Sequence, residues 1–440
     1  MHHDNTARPG QDHTFRLESG AAATWGCCQL GAREHYSIPR ALHRSIKLNC
    51  FYTNFWAGPG FRSVANRLSL NSVKRLAERY HKDLCRVAVN SYNWSSILWI
   101  LDAKKSTRVA SIYDSYIRVG ASFARKVRDD LKKRCSELPR IFFSYDTSAL
   151  ELFEWLEERG VHRILGQIDA NAAHFKILLD EQTYWPGWST RPLAIPNEYI
   201  ERRRAEWSKA SRIIVNSEFS RSALLNEGVS CDKIDVIPLA FEGDASKSHL
   251  LNSEVRRRRT SDPLRILFLG QVTLAKGIQY LIQAAKLLAH AKIEINVVGG
   301  IGISEQAIAA CPSNIRFHGP VSRGAVGRWL ENSDIFVFPT LSDGFGMTQL
   351  EAMHAGLPVI STFSCGRVVR SGVDGLVVPA RDADALANAI LRFYDDADFL
   401  SSCSNEARRR VKDFSLGSLA EQLLLLENRL LTNSTRVNGT

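Results

Sequence analysis

The 440-residue sequence has no apolar run near the roughly 20 residues that a membrane-spanning helix needs. Stretches such as SSILWIL (95–101) and INVVGG (295–300) stop far short. Residues 1–20 lack the basic start and apolar core of a secretory signal. The nine cysteines form neither a CxxC pair nor a metal-ligand rhythm. Together these absences predict a cytoplasmic protein with reduced thiols. There is also no zinc finger, RNA-recognition signature or long lysine tract, so nucleic acid is not an expected partner. A nucleophile elbow of the GxSxG type is missing too, as is any short-period repeat.

What is present is the mix of an ordinary globular chain, with 45% hydrophobic and 23% charged residues. The net charge is +11 and unevenly shared: residues 1–250 carry +8 and residues 251–440 carry +3. A basic first half suits a phosphorylated substrate or peripheral contact with the inner face of a membrane. One stretch, 116–135, sets Phe123, Val127 and Leu131 at i, i+4 spacing among six basic residues from Arg125 to Arg134. That pattern fits a surface helix with a solvated face, or one lying on a membrane.

Short apolar runs alternate with longer amphipathic segments, which predicts an α/β fold with parallel sheets. In the first half strands are expected at 24–30, 46–53, 85–90, 140–145, 162–168, 212–217 and 233–238. The polar stretch GDASKSHLLNSEVRRRRTSDP (243–263) then reads as a linker. After it the alternation restarts at LRILFLG (264–270) and continues to a helix at 382–395. The expected organisation is an N-terminal extension (1–20), a first doubly wound domain (21–242), the linker (243–263), a second doubly wound domain (264–400), and a C-terminal helix near 415–430 with a tail (401–440). Ligands of such halves bind at the C-terminal ends of the strands, in the cleft between domains.

The segment SDGFGMTQLEAMHAGLPVI (342–360) follows the strand DIFVFPT and places Asp343 in a turn with Gly344 and Gly346. Glycines let backbone approach a ligand, and the free N–H groups opening the next helix make an anion site suited to a diphosphate. Glu351 sits one to two turns into that helix. Taken alone, Asp343 also fits a helix cap and Glu351 a solvated side chain. DAD (382–384) opens a helix, which makes Asp382 a cap and not half of a metal site.

These residues resemble the retaining nucleotide-sugar glycosyltransferases of the GT-B fold, glycosyltransferase family 4, whose element usually reads E-G-F-G-x-x-x-x-E-A-x-x-x-G-x-P-V. Here it is DGFGMTQLEAMHAGLPVI, with Asp343 where glutamate is usual. FLGQVTLAKGIQYLIQA (268–284) resembles the family's G-R-x-x-x-x-K-G element, with Gln271 in place of arginine. GVDGLVVPARD (372–382) and IIVNSEFSRSALLNEGVSCDKIDVIPLAFE (213–242) extend the likeness. It is strong over about 195–395, fainter over 20–195 and absent over 1–20.

The resemblance implies two Rossmann-like domains facing a central cleft. It implies transfer of a hexose from a nucleotide diphosphate sugar, which serves as co-substrate, to a saccharide or lipid-linked acceptor in cell-surface polysaccharide synthesis, with neither cofactor nor metal. Glu351 would hold the ribose, Asp343 the donor sugar, Lys276 the diphosphate, and the backbone of Gly344, Phe345, Gly346 and Met347 would surround phosphates and sugar. Gln271 replaces a phosphate-binding arginine. His174 in GQIDANAAHFK (166–176) falls where a histidine faces the transferred sugar, though it equally fits a surface helix histidine, and Gly31 in LGAREHYSIPRAL (30–42) where a glycine-containing loop of the acceptor domain lies near the donor phosphate or the acceptor. His35 in that loop has no role assigned. A sugar-nucleotide epimerase or hydrolase and a non-catalytic binding protein are the other expectations.

Overall fold

Continuous apolar runs become strands buried on both faces, as parallel sheets require. The computed structural model describes residues 24–67, 73, 76–93, 109–134, 137–190, 194–243 and 262–437. The expectations for 1–20, for the run 95–101 and for most of the linker 243–263 lie outside these residues.

The first sheet has seven parallel strands in the order β3-β2-β1-β4-β5-β6-β7. They are β1 Trp25–Gln29, β2 Leu48–Thr53, β3 Val89–Ser91, β4 Ile141–Tyr145, β5 His162–Gln167, β6 Arg212–Val215 and β7 Ile234–Val236. The helices between them are α1 Ser37–Arg44, α2 Pro59–Arg67, α3 Val109–Arg134, α4 Leu150–Glu157, α5 Ala172–Tyr184, α6 Asn197–Lys209 and α7 Glu218–Asn226. The second sheet has six parallel strands in the order β10-β9-β8-β11-β12-β13. These are β8 Leu264–Leu269, β9 Ile293–Val298, β10 Ile315–Gly319, β11 Ile335–Phe338, β12 Val359–Thr362 and β13 Gly375–Val378. Its helices are α8 Ile278–Leu287, α9 Glu305–Ala309, α10 Arg323–Glu331, α11 Met347–His354 and α12 Ala383–Asp395, followed by α13 Ala397–Arg410 and α14 Leu416–Val437.

Alternate residues of the first sheet feed two cores. Cys28, Phe142 and Leu165 pack with Phe123, Val127 and Leu131 of α3 on one face. The apolar stripe read from the sequence therefore faces the sheet, and burying each such side chain stabilises by about 1.5–3 kcal/mol. On the other face Trp25, Phe51, Ile141 and Phe143 pack with α1 and with Leu416, Leu419, Leu423 and Leu426 of α14. The C-terminal helix thus crosses back to the first domain. Glu427 fixes it there, accepting from Thr24 Oγ1 at 2.6 Å and from Lys47 Nζ at 3.2 Å.

Three segments differ from expectation. The strand expected at 85–90 starts only at Val89, after a 3-10 turn at Lys82–Leu84 and an irregular stretch over 85–88; it is β3, a three-residue edge strand that pairs with β2 among the described residues. Residues 397–410, not singled out from the sequence, form α13, capped by Asp396 accepting from Phe399 N–H at 2.8 Å. The C-terminal helix runs to Val437 instead of stopping near 430. Eight cysteines are described, and all are free thiols. Among the described residues no helix is long and apolar enough to cross a membrane.

Candidate functional site

In both sheets the strand order reverses beside the first strand, between β1 and β4 and between β8 and β11. Loops leaving the two strands of such a pair diverge and leave a crevice at their C-terminal ends. In the second domain those loops are 270–277 and 339–346, which carry Lys276 and Asp343.

Loop 339–346 is built around two glycines. Gly346, at φ +82°, caps α11, and a Cβ there would meet the Phe338 ring at 2.5 Å. Gly344 touches the other domain: a Cβ there would lie 1.9 Å from the carbonyl oxygen of Ile168, at the end of β5. Between them the Phe345 ring is buried against Gly366 and Phe414, so only its backbone faces the crevice. Its N–H is already given to Asp343 Oδ1 at 3.0 Å. The helix-cap reading of Asp343 is not met, since Gly346 caps α11; Asp343 instead ties the preceding turn, and its other oxygen, Oδ2, pairs with Lys276 Nζ.

Lys276 Nζ also reaches the carbonyl oxygen of Ser342 at 3.4 Å. The hydroxyl of the same serine, a buried residue, lies 2.8 Å from His174 Nδ1 in the first domain. His174, Ser342, Lys276 and Asp343 therefore form one contact chain across the cleft. Glu351 is half-buried in the second turn of α11. Met347 opens that helix, whose first N–H groups and dipole favour an anion. Gln271 lies outside the chain of contacts, at the rim, with its amide against Gly300. Gly31 occupies the equivalent turn of the first domain, its N–H given to Asn54 Oδ1 at 2.7 Å.

His174 is held by a charged framework that the sequence did not reveal. Arg203 is wholly buried, and its Nη2 donates to Asp146 Oδ2 and to Asp169 Oδ1, each at 2.6 Å. Asp169 in turn accepts from Asn171 N–H at 2.9 Å, which shapes the entry of α5. Burial opposes the Asp169 charge, but Arg203 and His174 outweigh it and hold its pKa below the usual value. For His174, burial foremost lowers the pKa; Asp169 opposes this, while Lys276 and Arg203 add to it. The ring is therefore neutral near pH 7. Ser342 and Asp169 stand inside the quoted motifs but were not singled out there. Arg203 sits in the charged run ERRRAE, which the sequence did not single out.

The loop after β1 is strained. Glu34, His35 and Tyr36 are all left-handed, with φ of 51°, 50° and 61°. Non-glycine residues in that region carry a real cost, which clusters at functional sites. Glu34 accepts from Tyr145 Oη at 2.8 Å, and burial raises its pKa. The turn points His35 across the cleft, where its Nε2 is 2.9 Å from Arg323 Nη2 at the start of α10. Asp382 caps α12 as expected, accepting from Ala385 N–H at 2.8 Å.

A family model described as Glycosyl transferases group 1 matches residues 263–396. The D-inositol 3-phosphate glycosyltransferase of Pseudarthrobacter chlorophenolicus is 29% identical over 203 residues, covering 42% of this chain and 48% of that protein. The amylovoran biosynthesis glycosyltransferase AmsK of Erwinia amylovora is 28% identical over 184 residues, 38% of this chain and 44% of that protein. The chain thus spans about half the length of the curated relatives it matches. Sucrose-phosphate synthase from Thermosynechococcus elongatus superposes with a TM-score of 0.59 at 17% identity, covering 93% of this chain and all of that one. HepE from Anabaena, solved with UDP and glucose, gives 0.54 at 14% identity, covering 92% and 99%. These structures share the two-domain GT-B architecture. Residues 263–396 thus match the Glycosyl transferases group 1 family, in a chain with the GT-B fold.

Proposed function

We propose that the protein is a glycosyltransferase that moves a hexose from a nucleotide diphosphate sugar to a saccharide or lipid-linked acceptor, with retention at the anomeric carbon. The observation that carries this is the contact chain His174–Ser342–Lys276–Asp343, which joins both domains at the mouth of the α11 N-terminus. A diphosphate placed there meets a mobile ammonium and a helix dipole, the two charges that a departing phosphate needs. Lys276 then exchanges Asp343 for the phosphate, which frees the Asp343 carboxylate for the sugar hydroxyls. Glu351 reads the ribose from the side of α11, and the Gly31 loop borders the acceptor.

The His174 ring, neutral and drawn over the pocket by Ser342, lines the face on which the sugar is transferred. Electrostatic stabilisation of the leaving diphosphate, with water excluded by the closed cleft, supplies the rate enhancement. The proton of the acceptor hydroxyl passes to the leaving phosphate, and no metal or cofactor enters the scheme. HepE was solved with UDP-glucose, which supports a uridine nucleotide as the first donor to test. The likeness to AmsK, an amylovoran biosynthesis glycosyltransferase, supports a part in polysaccharide synthesis, which we set at the cell surface and on the cytoplasmic side. The basic face of α3 suits peripheral contact with an anionic membrane.

A thermal-shift screen of nucleotide sugars tests the donor reading. A ligand at 100 times its dissociation constant adds about 2.7 kcal/mol of stability. NMR of the product made with the stabilising donor then reads the anomeric configuration, and EDTA leaves turnover intact. An inverted product, or turnover lost to EDTA and restored by Mg²⁺, removes the corresponding part of the proposal. Donor cleavage without transfer to any acceptor favours the hydrolase instead.

A further inference from the structure

Helix α5 belongs to the first domain by sequence, and its Phe175 packs there against Tyr113, but other side chains of the helix reach the second domain. Of these, Glu181 is fully buried, and the hydrogen-bond donors recorded for its carboxylate, Gln279, Tyr280 and Arg381, all come from the other domain. Gln279 Nε2 lies at 2.7 Å and Tyr280 Oη at 3.0 Å from one carboxylate oxygen. Arg381 Nε lies at 2.5 Å from the other. Arg381 stands in the turn between β13 and α12 at φ +66°, a conformation that costs a non-glycine residue energy. The chain leaving α5 continues along the second domain. Ser304 N–H donates to the Trp188 carbonyl at 2.7 Å, and Ser189 bridges to Ile303. Trp185 packs edge-on to Tyr280.

His174 and Glu181 are seven residues apart on this helix, so they project from one face two turns from each other. One end of that face carries His174 to Ser342, and the other carries Glu181 to Gln279, Tyr280 and Arg381. We infer that Glu181 is a positioning residue for His174: by fixing α5 to the donor domain, it holds the imidazole in register with Ser342 and the donor pocket. The consequence for catalysis rests on the reading of His174 given above; the positioning itself does not. When the domains move, His174 then travels with the donor site and stays aligned with it.

Two variants of different kind test this. Arg381→Gly removes one donor and puts glycine at a left-handed position, so folding is favoured while the anchor is weakened. Glu181→Gln keeps the volume and loses the charge. In ligand-free protein the ¹⁵N imidazole signals of His174 should report a single tautomer in the parent and an average in both variants, as in Ser342→Ala. In turnover, Arg381→Gly should lower kcat roughly 3- to 10-fold with the nucleoside diphosphate Kd unchanged within about twofold. On a His174→Ala background it should add nothing, because the effect runs through that ring. Parent-like His174 signals in both variants, or a kcat loss undiminished in the His174→Ala background, overturns the inference. Parent-like turnover of His174→Ala overturns instead the donor-facing reading of that residue, and the ¹⁵N signals still decide the positioning.

Discussion

Lys276 Nζ and the Asp343 carboxylate pair with each other, although the family resemblance implies a diphosphate role for one and a sugar role for the other. Both side chains keep about a fifth of their surface in water, 22% and 21%. Partly exposed pairs contribute little, of order 0–1 kcal/mol, so a diphosphate can displace the carboxylate at small cost. The pair holds each group in the crevice until the donor separates them.

Removing Lys276 takes away the only one of the two that attracts phosphate. Lys276→Ala should therefore weaken nucleoside diphosphate binding and lower kcat by roughly 100-fold, about 2.7 kcal/mol. Calorimetry with the bare nucleotide and initial rates with the sugar nucleotide measure both. Unchanged affinity would place the diphosphate elsewhere.

Asp343→Ala should act in a different way. Nucleoside diphosphate affinity stays within about threefold of the parent, since Lys276 remains, while transfer falls about 10- to 100-fold. The Phe345 N–H loses its acceptor, which costs about 0.5–2 kcal/mol in the turn. Asp343→Glu lengthens the side chain by one methylene and should change the ranking among donor sugars. If Asp343→Asn and Asp343→Ala keep full transfer and lose only thermal stability, the residue serves the turn alone.

Gly344 and Gly346 stand two residues apart and should fail in separate ways. In Gly344→Ala the new Cβ overlaps the Ile168 carbonyl, so this loop must part from the end of β5. The expected result is a larger radius in solution scattering and a kcat reduced at least about tenfold, with little change in melting temperature. In Gly346→Ala the left-handed backbone itself is strained, by about 1–2 kcal/mol, and the Phe338 ring is struck. Here the melting temperature should fall. Equal melting behaviour in the two variants would contradict this assignment.

The strands of both sheets were legible because residues buried on two faces leave nearly unbroken apolar runs, IFFSY and IFVF among them. The glycine turn before α11 was legible because strand, turn and helix follow each other directly. Contacts between distant positions were not. His174 and Ser342 are 168 residues apart, and Lys276 and Asp343 are 67 apart. Arg203 was hidden in a charge run whose neighbours Arg202 and Arg204 make their own ion pairs with Glu151 and Glu227. The left-handed Glu34–His35–Tyr36 turn carries neither glycine nor asparagine, so nothing local announces it. The return of α14 to the first domain is likewise invisible to periodicity, which shows an apolar face and not what that face meets.

The buried His174 gives the last prediction, and its sign follows from linkage. Burial lowers its pKa below the ordinary value of 6.5, so the folded protein holds this ring neutral where the unfolded chain has begun to protonate it. Between those two pKa values the unfolded state binds more protons, and stability rises with pH. The penalty is absent above the unfolded value and grows as pH falls below 6.5. His35, His81, His162 and His318 are shifted in the same direction, burial being the leading cause for each, so the whole protein shows a combined slope. His174→Gln isolates one share of it. Near pH 7.5 the substitution costs whatever the Ser342 contact is worth. Near pH 5.5 that loss is offset, because no proton has to be excluded. The stability difference between parent and variant, from denaturant titrations at the two pH values, should therefore shrink toward acid. Lys276 and Arg203 keep the ring neutral in part through their charge, so adding Lys276→Ala should reduce the effect. A difference that is flat between pH 5.5 and 7.5 would mean that His174 titrates as it does in the unfolded chain, exposed to water and not held over the donor pocket.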